Sequence, residues 1–366
     1  MAIYLLELMG ILIMGLLIKP RKNHKRKGSY LFLVFAMLVM VSGLRAYSVG
    51  ADTRNYVSMF DSVEYIGILN TRIEMGFMTY LKFLHVFSDD PRIMLFASSI
   101  ICVGAACLFT YKFSKDPAMS MCLYLLMGSY FSQMNTIRQT IALSFCEIAF
   151  LFILTKSCNA LRNIIAGIII AIAFTMHNIA IVAFIPYALI VRSNGNKEKT
   201  DLTAQKALLQ AFGLAMIGFA GYSLIMNVTV RIFPAYAHYF SGSRWSDVNY
   251  NASLFNTLIA VVFASAGMVI FRNKPLNKTQ RFAAIMMGLS IVFNVLSMRM
   301  EIWNRIAGMF SIYTYLLWVP EFISKIRGIR NRWILKTSIF MFALAYMLIV
   351  LIFRPEWTRV VPYMLR

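Results

Sequence analysis

The sequence GLRAYSVGADTRNYVSMF, residues 43–60, opens the longest polar interruption in a chain that otherwise consists of apolar runs of membrane-spanning length. The interruption covers residues 45–90. Of the 366 residues, 60% are hydrophobic and 14% are charged, and the mean hydropathy is +0.68. This composition indicates an all-α, polytopic integral membrane protein with a single transmembrane domain over residues 1–366.

The apolar runs predict about twelve transmembrane helices, because a hydrocarbon core of about 30 Å requires roughly 17 to 25 apolar residues per helix. The predicted spans are 3–18, 30–44, 91–111, 118–134, 137–155, 162–176, 178–191, 207–226, 254–271, 282–297, 303–323 and 333–353. Two of these spans form a short hairpin at 162–191 that turns at residues 176–178. Each arm is shorter than the hydrocarbon is thick, so we expect the turn to lie below the outer surface, in a cavity.

Basic residues predict the orientation of these spans, because Lys and Arg accumulate in cytoplasmic loops. The loops on one side of the predicted topology hold 23 of the 36 Lys and Arg residues. We expect that side to be cytoplasmic, which places both termini outside the cytoplasm. If residues 161–191 formed a single helix, the later loops would change sides of the membrane. Their basic residues would then lie outside the cytoplasm, against this rule. Residues 45–90 then form the first extracytoplasmic loop and residues 227–253 the second.

The net charge of +21 is explained by the basic residues that orient the helices in the membrane. Nucleic-acid binding is therefore not predicted. The five cysteines lie within or at the ends of apolar segments and lack metal-ligand spacing. The sequence also lacks an HExxH motif and a Gly-rich phosphate loop. Neither a metal site nor a cofactor is therefore predicted.

Two short helices are expected in the first outer loop. Asp52 or Thr53 is positioned to cap one of them. For Asp52, this structural role is an alternative to substrate binding. From Glu74 onward, EMGFMTYLKFLHVF has the spacing of an amphipathic helix that lies on the outer membrane interface. The second outer loop is rich in aromatic residues, which either stack on sugar rings or form an interfacial belt.

The sequence NTIRQ, residues 135–139, places a cation at the start of a predicted helix. The positive end of the helix dipole disfavours Arg138 there unless an anion lies close by. A guanidinium group suits a phosphate, because its planar fork donates parallel hydrogen bonds and stays charged. The alternative is that Arg138 extends toward lipid phosphates at the interface. The neighbouring Gln139 favours a site.

His177 is a lone titratable group in apolar surroundings. Because the pKa of histidine is about 6.5, it can exchange protons at neutral pH. The alternative is a buried imidazole that bonds Asn178 or a neighbouring helix. Intramembrane ionisable residues are site candidates, and Glu147 qualifies on the same ground. For Glu147 we expect a hydrogen bond between helices.

The order of these elements resembles the EpsG family of bacterial polysaccharide polymerases, which is related to Wzy. The resemblance covers about residues 30–325 and is carried by Arg45 with GADTRNY, Glu74 before Met-Gly-Phe, Arg138-Gln139 at the start of a span, His177 after a short apolar run, and Arg299 with Arg305.

The resemblance implies an enzyme of the bacterial cytoplasmic (inner) membrane whose active site faces outward. It would join undecaprenyl-diphosphate-linked oligosaccharide units into an exopolysaccharide, capsule or O-antigen chain, without a metal. The expected partners are the lipid-linked donor and acceptor, the lipid bilayer, a flippase and a chain-length regulator. Arginines would stabilise the diphosphate leaving group, and His177 or Glu74 would act as base.

The expected catalytic residues are Arg138, His177, Glu74, Arg299 and Arg305. The expected substrate-binding residues are Arg45, Asp52, Gln139, Asn135, Asn178 and Glu301.

Three other functions fit parts of the sequence. An O-antigen ligase also handles lipid-diphosphate glycans with outward-facing arginines and a histidine. A flippase or secondary transporter fits twelve spans, but the chain lacks a two-fold repeat and has few midplane charges. A membrane acyltransferase would also use an intramembrane histidine.

Overall fold

The computed structural model describes residues 1–65, 73–155, 159–195, 202–232, 250–272 and 274–365. Within these ranges the regular structure is helical, which confirms the predicted all-α class. The helices are α1 (Ala2–Ile18), α2 (His24–Gly43), α3 (Thr53–Asp61), α4 (Met75–His85), α5 (Arg92–Phe113), α6 (Pro117–Leu126), α7 (Ser129–Asn135), α8 (Ile137–Leu154), α9 (Ala160–Met176), α10 (Phe184–Gly195), α11 (Ala204–Ala220), α12 (Tyr222–Ile232), α13 (Tyr250–Phe271), α14 (Lys278–Ser297), α15 (Ile302–Tyr313), α16 (Val319–Lys325) and α17 (Ile329–Phe353).

The chain divides into two compact units. Unit 1 comprises Met1–Gly195 and Arg327–Arg366, and therefore contains α1 to α10 and α17. Unit 2 comprises Asn196–Ile326 and contains α11 to α16. The single transmembrane domain over residues 1–366 stays a prediction.

Seven helices of the described chain are long and apolar enough to cross a membrane, and the bent pair α11 and α12 raises the number to eight if it is one span. A multi-pass membrane protein is confirmed. The total of twelve spans and the location of both termini stay predictions. Four shorter apolar helices coincide with other predicted spans: Ala2–Ile18, Pro117–Leu126, Ala160–Met176 and Asn178–Arg192.

Two predicted spans are broken in the structure. The run 118–134 forms α6 and α7, separated at Gly128, which has a φ of 83°. Glycine adopts this left-handed conformation without the steric cost of a side chain, so the helix ends there. The run 207–226 forms α11 and α12, whose axes differ by 76°.

The described residues of the predicted first outer loop, 45–65 and 73–90, belong to unit 1. As predicted, the loop contains two short helices, α3 and α4, and α4 begins directly after Glu74. The apolar face of α4 packs against protein, because Phe77 and Leu81 are fully buried in a cluster with residues of α3, α5 and α8. The position of α4 at the membrane interface stays a prediction.

The chain turns at residues 176–178, as predicted, and that the two arms span the membrane with the turn in a cavity stays a prediction. Helix α9 ends at Met176, and His177 has an extended backbone with φ −159° and ψ 127°. A 3₁₀ helix over Asn178–Ala183 leads into α10. The chain then runs back along α9, since the Tyr187 hydroxyl donates a hydrogen bond to the Asn163 carbonyl at 2.9 Å.

The two ends of the chain meet at one end of unit 1, where the Tyr4 hydroxyl donates to the Val360 carbonyl at 2.9 Å. In the second outer loop, residues 233–249 lie outside the described residues, together with most of the aromatic side chains that the sequence singles out. Four of the cysteines are buried free thiols, as expected of core residues, and Cys158 lies outside the described residues.

Candidate functional site

An ion pair between Glu74 and Arg138 lies at the centre of the candidate site. Nη1 of Arg138 donates to Oε2 of Glu74 at 2.7 Å, and the two side chains are 24% and 12% exposed. Glu74 immediately precedes α4, and Arg138 is the second residue of α8. The sequence predicted an anion beside Arg138 at this helix start, and the protein supplies one itself.

The same carboxylate reaches the turn of the α9–α10 hairpin. Oε1 of Glu74 accepts a hydrogen bond from the backbone N–H of Asn178 at 3.1 Å. Three segments that are distant in sequence therefore converge on Glu74, namely the start of α4, the start of α8 and residues 177–178. Both carboxylate oxygens are engaged, so Glu74 is held in one orientation.

The imidazole of His177 is oriented by its own turn. Its Nδ1 accepts a hydrogen bond from the backbone N–H of Ile179 at 3.2 Å. Because Nδ1 is the acceptor, the neutral ring carries its proton on Nε2. In this arrangement His177 is a hydrogen-bond donor at Nε2, and it can take up a proton at Nδ1 only by losing the contact to Ile179.

A close backbone approach fixes the distance between α4 and the hairpin. A Cβ atom added to Gly76 would come within 2.7 Å of the Thr175 carbonyl oxygen, at the end of α9. Glycine is therefore required two residues after Glu74, because any side chain there would push α4 away from α9. This contact explains how the carboxylate reaches Asn178.

Arg45 is buried in unit 1 and is 2% exposed. Its guanidinium donates to the carbonyl and hydroxyl oxygens of Ser42 and, at 3.4 Å, to the Met134 carbonyl. Its Nε is buried without a hydrogen-bond partner among the described residues. Burial lowers the pKa of Arg45 to about 10, which still leaves the group charged at neutral pH.

The C-terminal segment, residues 354–365, covers the start of the first outer loop. The backbone N–H groups of Ala46 and Gly50 donate to the carbonyls of Met364 and Arg359, each at 2.8 Å. Gly50 has a φ of 97°, a conformation that favours glycine. Sequence reasoning missed this segment, because its contacts are made by backbone carbonyls.

Asn135 and Asp52 connect this segment to the candidate site. Asn135 Oδ1 accepts from the Asp52 backbone N–H at 3.3 Å, and its Nδ2 donates to the Trp357 carbonyl at 3.2 Å. Asp52 precedes α3, but its side chain makes no capping hydrogen bond. Asp52 is thus the N-cap residue of α3, as predicted, and only the hydrogen bond from its side chain is absent. Gln139 lies in α8 with 7% of its surface exposed.

The remaining predicted site residues belong to unit 2. The Arg299 guanidinium lies over the ring of Phe219 at 4.1 Å from its centroid. Glu301 precedes α15, and Arg305 lies in its first turn and is partly exposed. That these residues act together with Arg138 stays a prediction.

The arrangement in unit 1 combines a carboxylate, a guanidinium and an imidazole. Nε of Arg138 is buried without a hydrogen-bond partner among the described residues, so the guanidinium has donor capacity beyond Glu74. The described residues contain no group of three or more His, Cys, Asp or Glu side chains that could hold a metal ion. The site is suited to bind an anionic oxygen and to move a proton.

Comparisons with known proteins give one family match. A model described as EpsG family matches residues 29–365, nearly the whole chain. No curated protein and no solved structure matches it.

Proposed function

We propose a reaction for this chain from one premise: it belongs to the EpsG family, a family of Wzy-like polysaccharide polymerases. It is a multi-pass membrane protein of polysaccharide synthesis. In the proposed reaction it joins undecaprenyl-diphosphate-linked oligosaccharide units into exopolysaccharide, capsule or O-antigen on the outer face of the bacterial cytoplasmic membrane.

The observation that carries this proposal is the convergence of Glu74, Arg138 and the His177 turn. In the reaction, the donor glycan is attached to a lipid diphosphate, and the bond to its anomeric carbon breaks. Negative charge then develops on the departing diphosphate. A cation that is already in place stabilises this charge most strongly where water is scarce, and Arg138 is assigned this role.

Glu74 is assigned the role of base. While it is paired with Arg138, its Oε2 accepts a hydrogen bond from that guanidinium and is not available to a substrate proton. A donor diphosphate that binds Arg138 competes with Glu74 for the guanidinium and releases Oε2. The released carboxylate accepts the proton of the acceptor hydroxyl as that oxygen bonds to the anomeric carbon and the lipid diphosphate leaves.

His177 is assigned the role of donor. Since its Nδ1 accepts from Ile179 at 3.2 Å, its Nε2–H can stabilise an oxygen of the diphosphate or of the sugar. Arg45 is assigned supporting positive charge from beneath the surface of unit 1, and the roles expected of Arg299 and Arg305 stay predictions. This assignment differs from the sequence expectation that left His177 and Glu74 as equal candidates for the base.

Deletion of the gene in its host tests the proposal. Lipid-linked glycans extracted from the deletion strain should consist of single repeat units, and the wild-type gene should restore the ladder of longer chains. An unchanged ladder would reject polymerisation. Full-length chains that remain on the lipid carrier, instead of moving to another acceptor, would identify a ligase.

A further inference from the structure

A second group of charged side chains lies in unit 1, around Asp116. Asp116 is 1% exposed, and its Oδ2 forms ion pairs with Arg21 and, at 2.9 Å, with Lys336 of α17. Nearby, the ammonium group of Lys27, which is 9% exposed, donates to the Ser114 carbonyl at 2.9 Å. We call Arg21, Lys27 and Lys336 the basic cluster. Arg21 and Lys336 share the carboxylate of Asp116, and Lys27 donates to a backbone carbonyl beside it.

The sequence around the basic cluster adds positive charge only. Residues 19–27 contain six Lys and Arg residues, residues 325–336 contain five, and neither segment contains Asp or Glu. Burial and the charge of Arg332 lower the pKa of Arg21, which agrees with an excess of cations over anions. An additional anion would therefore bind favourably here.

The basic cluster lies at the opposite end of unit 1 from the Glu74–Arg138 pair. Lys27 is in the first turn of α2, whereas Arg45 follows the end of that helix. Twenty residues of α-helix extend about 30 Å, which is the thickness of a hydrocarbon core. The cluster therefore lies at the level of the lipid headgroups, on the side that the distribution of basic residues predicts to be cytoplasmic.

Exposed apolar side chains adjoin the basic cluster. At the end of α1, Leu16 and Leu17 are 67% and 75% exposed, and at the start of α17, Ile329 and Trp333 are 77% and 60% exposed. Tryptophan is typical of the membrane interface. These surfaces suit acyl chains, which a free phosphate ion lacks.

We propose that the basic cluster binds the headgroup of an anionic phospholipid in the leaflet opposite the Glu74–Arg138 pair. The Arg21 and Lys336 side chains are 42% and 28% exposed, so a headgroup phosphate can reach them while Asp116 keeps them together. The bound lipid joins the α1–α2 loop to α17. The proposal does not depend on the polymerase reaction.

Native mass spectrometry of the full-length protein tests the proposal. The protein is incubated with equal amounts of phosphatidylglycerol and phosphatidylcholine, and the retained lipid is counted. Wild type should retain phosphatidylglycerol several-fold over phosphatidylcholine. The variant Lys27→Gln/Lys336→Gln should lose this preference, because it removes two cations while Arg21 still neutralises Asp116.

The matched control is Lys25→Gln/Arg26→Gln, which removes the same charge from two exposed residues of the same helical turn. This control should keep the preference, and an equal loss in both variants would overturn the proposal in favour of general surface attraction. Displacement of the lipid by millimolar inorganic phosphate would also overturn it. If the double variant does not fold, Lys336→Gln alone decides: it removes one of the two partly exposed cations assigned to the headgroup while the Arg21–Asp116 pair remains, and an unchanged preference refutes the site.

Discussion

The substitution Arg138→Ala has two separable consequences. It removes the cation assigned to the diphosphate, and by analogy with a lost oxyanion donor this should raise the barrier by about 2.7–4 kcal/mol, a loss of roughly 10²–10³-fold in rate. It also leaves the carboxylate of Glu74, which is 12% exposed, without its counter-ion. Loss of a charge-assisted hydrogen bond costs about 1.5–3 kcal/mol. Because the Arg138 side chain is 24% exposed and partly screened by water, we expect the free energy of unfolding to fall by an amount near the lower value.

A double variant separates these two effects. Arg138→Ala/Glu74→Gln leaves no unpaired charge, so its thermal stability should return most of the way to wild type. Its polymerisation rate should not recover, because the cation and the base are both absent. Arg138→Lys keeps the charge but not the planar fork, and should lose less rate than alanine does.

The assay compares membrane protein level, thermal unfolding and glycan chain length in a strain that depends on the plasmid-borne gene. Arg54→Ala is the matched control, since Arg54 is an exposed arginine of the same outer loop and should keep normal chain length. Normal chain length from both Arg138→Ala and Arg138→Lys, with the protein present in the membrane, would refute the role of Arg138. Recovery of chain length in the double variant would mean that Arg138 acts only by neutralising Glu74.

Three further predictions concern the surroundings of this pair. His177→Gln should lower the polymerisation rate about tenfold or more at unchanged protein level, since it removes the Nε2–H donor; full activity in a lipid-linked glycan assay would leave only a packing role. Gly76→Ala should destabilise unit 1 by about 1–3 kcal/mol and shorten the glycan, because the added Cβ meets the Thr175 backbone. In the control Gly104→Ala, the added Cβ meets only Phe35, at 3.6 Å. Equal melting temperatures of the two variants would contradict this prediction. Removal of residues 354–366 should expose Arg45 and abolish polymerisation, and unchanged chain length from a truncated protein present in the membrane would show that the segment is dispensable.

The shared location of Glu74, Arg138 and His177 could be predicted in part from the sequence. The distribution of basic residues required a hairpin at residues 176–178, and that hairpin brings His177 to the same end of unit 1 as the other two. Such a rule assigns a residue to one side of the membrane. It carries no information on which side chains touch, so the 2.7 Å ion pair and the hydrogen bond to Asn178 required the structure.

Other features have weak sequence signals for physical reasons. The C-terminal segment binds the first outer loop through the carbonyls of Thr358, Arg359 and Met364, which every residue type possesses. Gly128 interrupts an apolar run of ordinary length, and a hydropathy pattern does not register the left-handed φ of one residue. Arg45 looks like an exposed loop cation in sequence, but the C-terminal segment covers it, so the structure places it beneath the surface.

The Glu74–Arg138 pair has a consequence for the order of events in the proposed reaction. A diphosphate carries more negative charge than one carboxylate and offers several oxygens to the guanidinium fork, so it can displace Glu74 from Arg138. The displaced carboxylate, which remains bonded to the Asn178 N–H, has Oε2 open to the acceptor hydroxyl only while a donor is bound. Activation of the acceptor hydroxyl then requires the donor, and without a donor the ion pair keeps both groups inactive. Glu74→Gln should therefore still bind the lipid-linked donor but fail to extend it, whereas a variant that binds the donor and extends it at the wild-type rate would exclude Glu74 as the base.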